Sequence, residues 1–145
     1  MVTPAGLVCD LMVTPVKTLG RNDSLSIADD LMNMDRIRHL PVLDEDGRLA
    51  GILSQRDLYF NALLRGLGYG TVAKERTLKE IPVKMCMADD PITVTPDTTL
   101  EEAARLMLEH KIGALPVVED EKLAGLITET DFLRAFTGMD YHPAG

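Results

Sequence analysis

Two short stretches hold the side chains best suited to bind something: Ser54-Gln55-Arg56-Asp57 and Thr128-Glu129-Thr130-Asp131. Each sets a hydroxyl three residues ahead of a carboxylate, where a short apolar strand gives way to a helix. At a helix start this pattern makes a capping box, hydroxyl and carboxylate both satisfying backbone N–H groups. The same carboxylate could instead accept hydrogen bonds from ligand hydroxyls, while the helix N-terminus draws an anion. Both readings stand. Cations able to meet an anion occur in Arg36-Ile37-Arg38-His39 and, more sparsely, in His110-Lys111-Ile112-Gly113-Ala114. Taken one at a time, Arg36, Arg38 and Lys111 read as solvated surface charges.

Other chemistries find little support. His39, His110 and His142 occupy unlike contexts, and no H-E-x-x-H, G-x-S-x-G or P-loop motif is present, so no catalytic residues are expected. Cys9 and Cys86 lie far apart and form no CxxC pair; buried thiols are expected, with no metal site. The net charge of -8 disfavours nucleic acid and anionic membrane as partners, because both require a basic face. Aromatic residues make up 4% of the chain and Trp is absent, too few for a base-stacking platform. No apolar run approaches the roughly 18 residues of a membrane span, so no membrane insertion is expected. The first residues lack a basic start and a long apolar stretch, which points to a cytoplasmic location.

The elements that must position these side chains come twice. Residues 25–58 align with 100–132 through Leu25/Leu100, Ala28/Ala103, Leu31/Leu106, Met32/Met107, Ile37/Ile112, Leu40/Leu115, Pro41/Pro116 and Val42/Val117. After one residue is skipped in the turn, Leu49/Leu123, Ala50/Ala124, Gly51/Gly125 and Asp57/Asp131 follow. Ordered identities with a single gap mark a duplication. In each copy an extended piece (Val16 to Leu19; Ile92 to Thr95) precedes an amphipathic helix (Leu25 to Met34; Leu100 to Glu109). Two strands follow, His39 to Leu43 with Leu49 to Ser54, and Ala114 to Val118 with Leu123 to Thr128. A closing helix runs from Arg56 to Leu67 and from Thr130 to Phe136. The fold class expected is α/β (α+β): two β-α-β-β-α repeats, residues 8–67 and 82–138, joined by a bridge over 68–81. A single copy buries too little surface to be comfortable alone, so the two are expected to pack about a pseudo-two-fold axis, with equivalent clefts between them.

The repeated motif resembles that of the CBS domain family: h-P-V-h, a turn, then h-x-G-h-h-[S/T]-x-x-D, where h is apolar. Leu40-Pro41-Val42-Leu43 and Leu49-Ala50-Gly51-Ile52-Leu53-Ser54-Gln55-Arg56-Asp57 carry it first. Leu115-Pro116-Val117-Val118 and Leu123-Ala124-Gly125-Leu126-Ile127-Thr128-Glu129-Thr130-Asp131 carry it again. The resemblance implies a tandem CBS pair, or Bateman module, covering nearly the whole chain. Such pairs typically bind AMP, ATP or related adenosyl compounds between the copies, form homodimers, and regulate without catalysing. It also implies roles for single residues. Asp57 and Asp131 would accept ribose hydroxyls, with Ser54, Arg56, Thr128 and Thr130 beside them. Thr128 and Asp131 would share a cleft with Arg38 and His39, and Arg36 nearby. Ser54 and Asp57 would face the uncharged Gly113 and Ala114, leaving Arg56 as the main cation there. The adenine ring would lie along the backbone of Val16-Lys17 and Ile92-Thr93. No cofactor is required; the adenine nucleotide is a regulatory ligand. Two alternatives are a structural dimerisation module without a physiological nucleotide, and a subunit that regulates an enzyme or transporter in trans.

Overall fold

The computed structural model describes residues 6–64 and 78–138. It divides into two compact units, one built from the described residues within Lys17–Asp90 and the other from residues 6–16 together with 91–138. The units therefore do not follow the order of the sequence repeats. Residues leading into the first copy pack in the second unit, and those leading into the second copy pack in the first unit.

The first unit carries β1 (Leu19–Gly20), α1 (Leu25–Asp35), β2 (His39–Leu43), β3 (Leu49–Ser54), α2 (Gln55–Leu64) and β4 (Ala88–Asp89). Its sheet runs β1-β2-β3-β4, with β1 parallel to β2 and the other pairs antiparallel. Pro41 has no N–H to donate. Pairing of β1 with β2 starts at Leu19↔Val42, one residue past it, so Lys17 stays outside the ladder. The stripe Leu25, Ala28 and Met32 of α1 is buried against Leu40, Val42 and Leu53 of the sheet. Leu78 and Ile81, within the span read as a bridge, are buried in this same core. The remainder of that bridge, 68–77, and the end of the closing helix past Leu64 lie outside the described residues, as does His142.

The second unit repeats the plan with a short leading helix α3 (Val8–Leu11), then α4 (Leu100–His110), β5 (Ala114–Glu119), β6 (Lys122–Thr128) and α5 (Glu129–Thr137). Here the flanking strands shrink to single bridges: Val94↔Val117 parallel on one side, Val13↔Leu126 antiparallel on the other. Val117 and Leu126 match Val42 and Ile52, which meet Leu19 and Ala88 in the first unit. Even the bulge recurs, after Val42 and after Val117. Every buried residue of this core has a matched partner in the other: Val8/Val83, Val94/Leu19, Leu100/Leu25, Ala103/Ala28, Met107/Met32, Leu115/Leu40, Val117/Val42 and Ile127/Leu53. The architecture is mixed α+β, as expected. On the outer face of α4, Arg105 donates hydrogen bonds to the carboxylates of Glu102 and Glu109, which hold its guanidinium above its ordinary pKa. Among the described residues no helix is long and apolar enough to cross a membrane.

Two details depart from expectation. Cys86 is buried, but Cys9 is exposed, because α3 buries only Val8. Arg36 and Lys111, read as surface charges or phosphate ligands, also end α1 and α4 in the left-handed conformation, with φ of 53° and 54°. There their N–H groups bond the carbonyls of Met32 and Met107, a helix C-cap that glycine usually fills.

Candidate ligand-binding site

In the first unit the end of β3 and the start of α2 meet the residues leading into β2. His39 is opposite Ser54 in the ladder, and Gln55 N donates to Arg38 O at 2.8 Å. Ser54 and Asp57 form a reciprocal box: Asp57 N donates to Ser54 Oγ at 3.0 Å and Ser54 N to Asp57 Oδ2 at 3.3 Å. Both are half-buried, and Arg56 beside them is exposed. Among the described residues no ion pair reaches Asp57, so its carboxylate retains acceptor capacity toward solvent. The backbone thus brings Arg38 and His39 beside Ser54-Gln55-Arg56-Asp57 in this unit, with Arg36 two residues earlier at the end of α1. The ammonium of Lys17 is 2.5 Å from Asp35 Oδ2, and its backbone lies outside the ladder.

The second unit repeats the backbone and changes the charges. Ala114 is opposite Thr128, and Glu129 N donates to Gly113 O at 3.0 Å. Thr128 N donates to Asp131 Oδ2 at 2.8 Å, and the Thr128 hydroxyl lies 3.3 Å from the same oxygen. Asp131 is buried, the one charged side chain in that class among the described residues. Its other oxygen is paired with the guanidinium of Arg134, one turn further along α5. Thr130 is half-buried at the helix start, and Ile92 and Thr93 run outside any ladder, as Val16 does at the end of this unit's leading segment. Lys111 is exposed.

Each unit by itself therefore joins the residues before its proline-bearing strand to its own hydroxyl-carboxylate helix start. The capping reading of Ser54/Asp57 holds in full. At Thr128/Asp131 the carboxylate half holds, and Arg134 adds a contact that the sequence reading did not include. The signal for it was present, since an Asp followed by Arg three residues on is a helical ion-pair spacing. The leading segments were also missed: Val13 covers β6 and Ala88 covers β3. Among the described residues, no group of three His, Cys, Asp or Glu side chains is placed to hold a metal ion.

Comparison with known proteins gives this arrangement a context. The CBS domain family matches residues 8–62 and 78–138. A CBS domain-containing protein of Dictyostelium discoideum is 32% identical over 128 residues, 88% of this chain and 88% of that one. The CBS domain pair of protein MJ0100, solved with 5′-methylthioadenosine and S-adenosyl-L-methionine, is similar at a TM-score of 0.78 and 29% identity, over 93% of this chain and 98% of that one. CBSX2 in complex with AMP is similar at 0.72 and 32% identity, over 91% and 96%. With a family match in each copy and one fold drawn twice, the chain belongs to the CBS domain family, as a tandem pair.

Proposed function

We propose that the protein is a regulatory module that binds an adenine nucleotide or a related adenosyl compound and has no catalysis of its own. The observation that carries the reading is the recurrence of one carboxylate, Asp57 and Asp131, at the same helix start in both copies of a fold whose relatives MJ0100 and CBSX2 were solved with adenosyl ligands. In this reading those carboxylates accept the ribose hydroxyls, beside Ser54, Thr128 and Thr130. Arg36, Arg38, His39 and Arg56 supply the positive charge for phosphate. The unpaired backbone of Val16-Lys17 and Ile92-Thr93 serves the adenine edge, with Gly113 and Ala114 leaving room. Isothermal calorimetry with AMP, ATP, S-adenosylmethionine and adenosine tests the reading. Losing a charge-assisted hydrogen bond costs about 1.5–3 kcal/mol, so Asp57→Ala and Asp131→Ala should each weaken one class of site roughly ten- to a hundredfold. Arg38→Ala should weaken AMP and spare adenosine, which has no phosphate. No binding of any adenosyl ligand by the intact chain would refute the proposal.

A second reading, a dimerisation module whose sites stay empty, has one observation in its favour: α2 and α5 leave large apolar side chains exposed. It predicts the same dimer with and without nucleotide.

A further inference from the structure

The two ribose-acceptor candidates are held differently, and the difference lies in one residue. Asp131 is 2% exposed, and both its oxygens are engaged: Oδ2 with the Thr128 N–H and hydroxyl, Oδ1 with the Arg134 guanidinium. Asp57 has the corresponding backbone contact, at the longer 3.3 Å, but no guanidinium. The position matched to Arg134, three residues after the carboxylate, holds Phe60, whose ring points to solvent at 59% exposure. A carboxylate oxygen has room for a further donor, yet one already paired with a guanidinium is partly neutralised and sterically covered. A ligand hydroxyl must therefore displace or share that partner.

We infer that Arg134 is a positioning residue that competes with ligand hydroxyls for Asp131, making the second copy's site the weaker acceptor and Arg134 the element that sets the inequality between the copies. The inference rests on the adenosyl-binding reading above. Its chemistry is specific: the contest is over the ribose diol, not over the phosphate. Removing Arg134 should tighten any ligand that has the diol, and leave one that lacks it unchanged.

The test uses the full chain, with AMP, adenosine and 2′,3′-dideoxy-AMP as calorimetric probes. In an Asp57→Asn background, where the site at Asp131 is read alone, Arg134→Met should tighten AMP and adenosine alike, by about tenfold for one charge-assisted contact. Dideoxy-AMP should show no gain, and Arg134→Lys should fall between Arg134→Met and the parent. Because Arg134→Met leaves a buried carboxylate without its cation, the reciprocal transplant guards against a folding failure. In an Asp131→Asn background, Phe60→Arg should weaken AMP relative to Phe60→Gln by a similar factor, and again spare dideoxy-AMP. If AMP binds the parent but neither Arg134→Met nor Phe60→Arg moves its affinity, the inference is wrong. A selective loss of AMP over adenosine in Arg134→Met would also overturn it, by making Arg134 a phosphate contact. Absence of binding in the parent and in every variant would instead refute the adenosyl reading itself.

Discussion

A Cβ placed on Gly51 would lie 2.6 Å from the Ala88 carbonyl oxygen and 2.7 Å from Met87 Sδ. The matched Gly125 would meet Met12 Sδ at 2.8 Å and the Val13 carbonyl at 2.9 Å. A methionine tip can move, but a backbone carbonyl held by strand pairing cannot, so the glycines are required by the close approach of the leading segments. Gly51→Ala and Gly125→Ala should each destabilise by about 1–3 kcal/mol, the usual cost of overpacking. Urea denaturation checks this, and an unchanged midpoint would mean that the segments sit more loosely. Arg36 and Lys111 present the opposite case, since both occupy left-handed backbone that a side chain disfavours. Glycine there relieves roughly 1 kcal/mol of strain and forfeits a few tenths from the cation at the helix C-terminus. Arg36→Gly and Lys111→Gly should therefore both hold or slightly raise stability. If Arg36 also serves phosphate, only Arg36→Gly should lose AMP affinity; equal losses in both would leave Arg36 a helix cap alone.

Among the elements, the exchanged leading segments decide how the copies are built. Val8 N donates to Thr98 O at 2.8 Å and Leu100 N to Gly6 O at 3.1 Å; the matched bonds are Val83 N to Asp23 O at 2.7 Å and Leu25 N to Ile81 O at 2.8 Å. Each segment also inserts one fully buried valine, Val8 or Val83, into a core that it precedes by no short turn. Val8→Ala and Val83→Ala should each cost about 2 kcal/mol, two buried carbons plus the cavity they leave. Matching shifts in the urea midpoint are the expected result, and a neutral Val8→Ala would show that the first segment docks without contributing. These segments were the part of the fold hardest to read in the sequence. Helices α1 and α4 and the strands β2, β3, β5 and β6 announce themselves by apolar period and turn residues over five to eleven positions. In contrast α3 spans four residues and β4 two, too short for any period, and backbone bonds to distant residues hold them. Between the segments only Val8/Val83 and Met12/Met87 are identical, so the duplication fades just where the exchange occurs. The site was legible at Ser54/Asp57 and Thr128/Asp131 because hydroxyl and carboxylate are local to one turn. The hold of Arg134 on Asp131 is less legible, because its significance depends on burial, which spacing alone does not give.

At the scale of the whole molecule, two features act against each other. The chain carries a net charge of -8, which repels a second copy. Yet α2 exposes Tyr59, Phe60, Leu63 and Leu64, and α5 exposes Leu133 and Phe136, each set at spacings that put its members on one helical stripe. Isolated apolar residues on a surface need no explanation, but contiguous stripes of this size usually mark an interface. A stripe on a helix is readily self-complementary, and a two-fold dimer is the commonest assembly that would cover it. The charge is diffuse and lies among exposed carboxylates, so salt screens it beyond about 8 Å at physiological ionic strength, while apolar contact is not weakened. A dimer is therefore expected at about tens of micromolar in physiological salt, and its association should strengthen as salt rises from low ionic strength. Leu63→Glu and Phe136→Glu each place a carboxylate in a stripe, adding a desolvation cost and further repulsion. Both should shift light scattering toward monomer without lowering the urea midpoint of the folded unit, since Leu63 is 72% exposed and Phe136 56%. A chain that scatters as a monomer in physiological salt, with and without AMP, would show that the stripes serve some other contact. A dimer that weakens as salt rises would show that ion pairs, not these side chains, hold it.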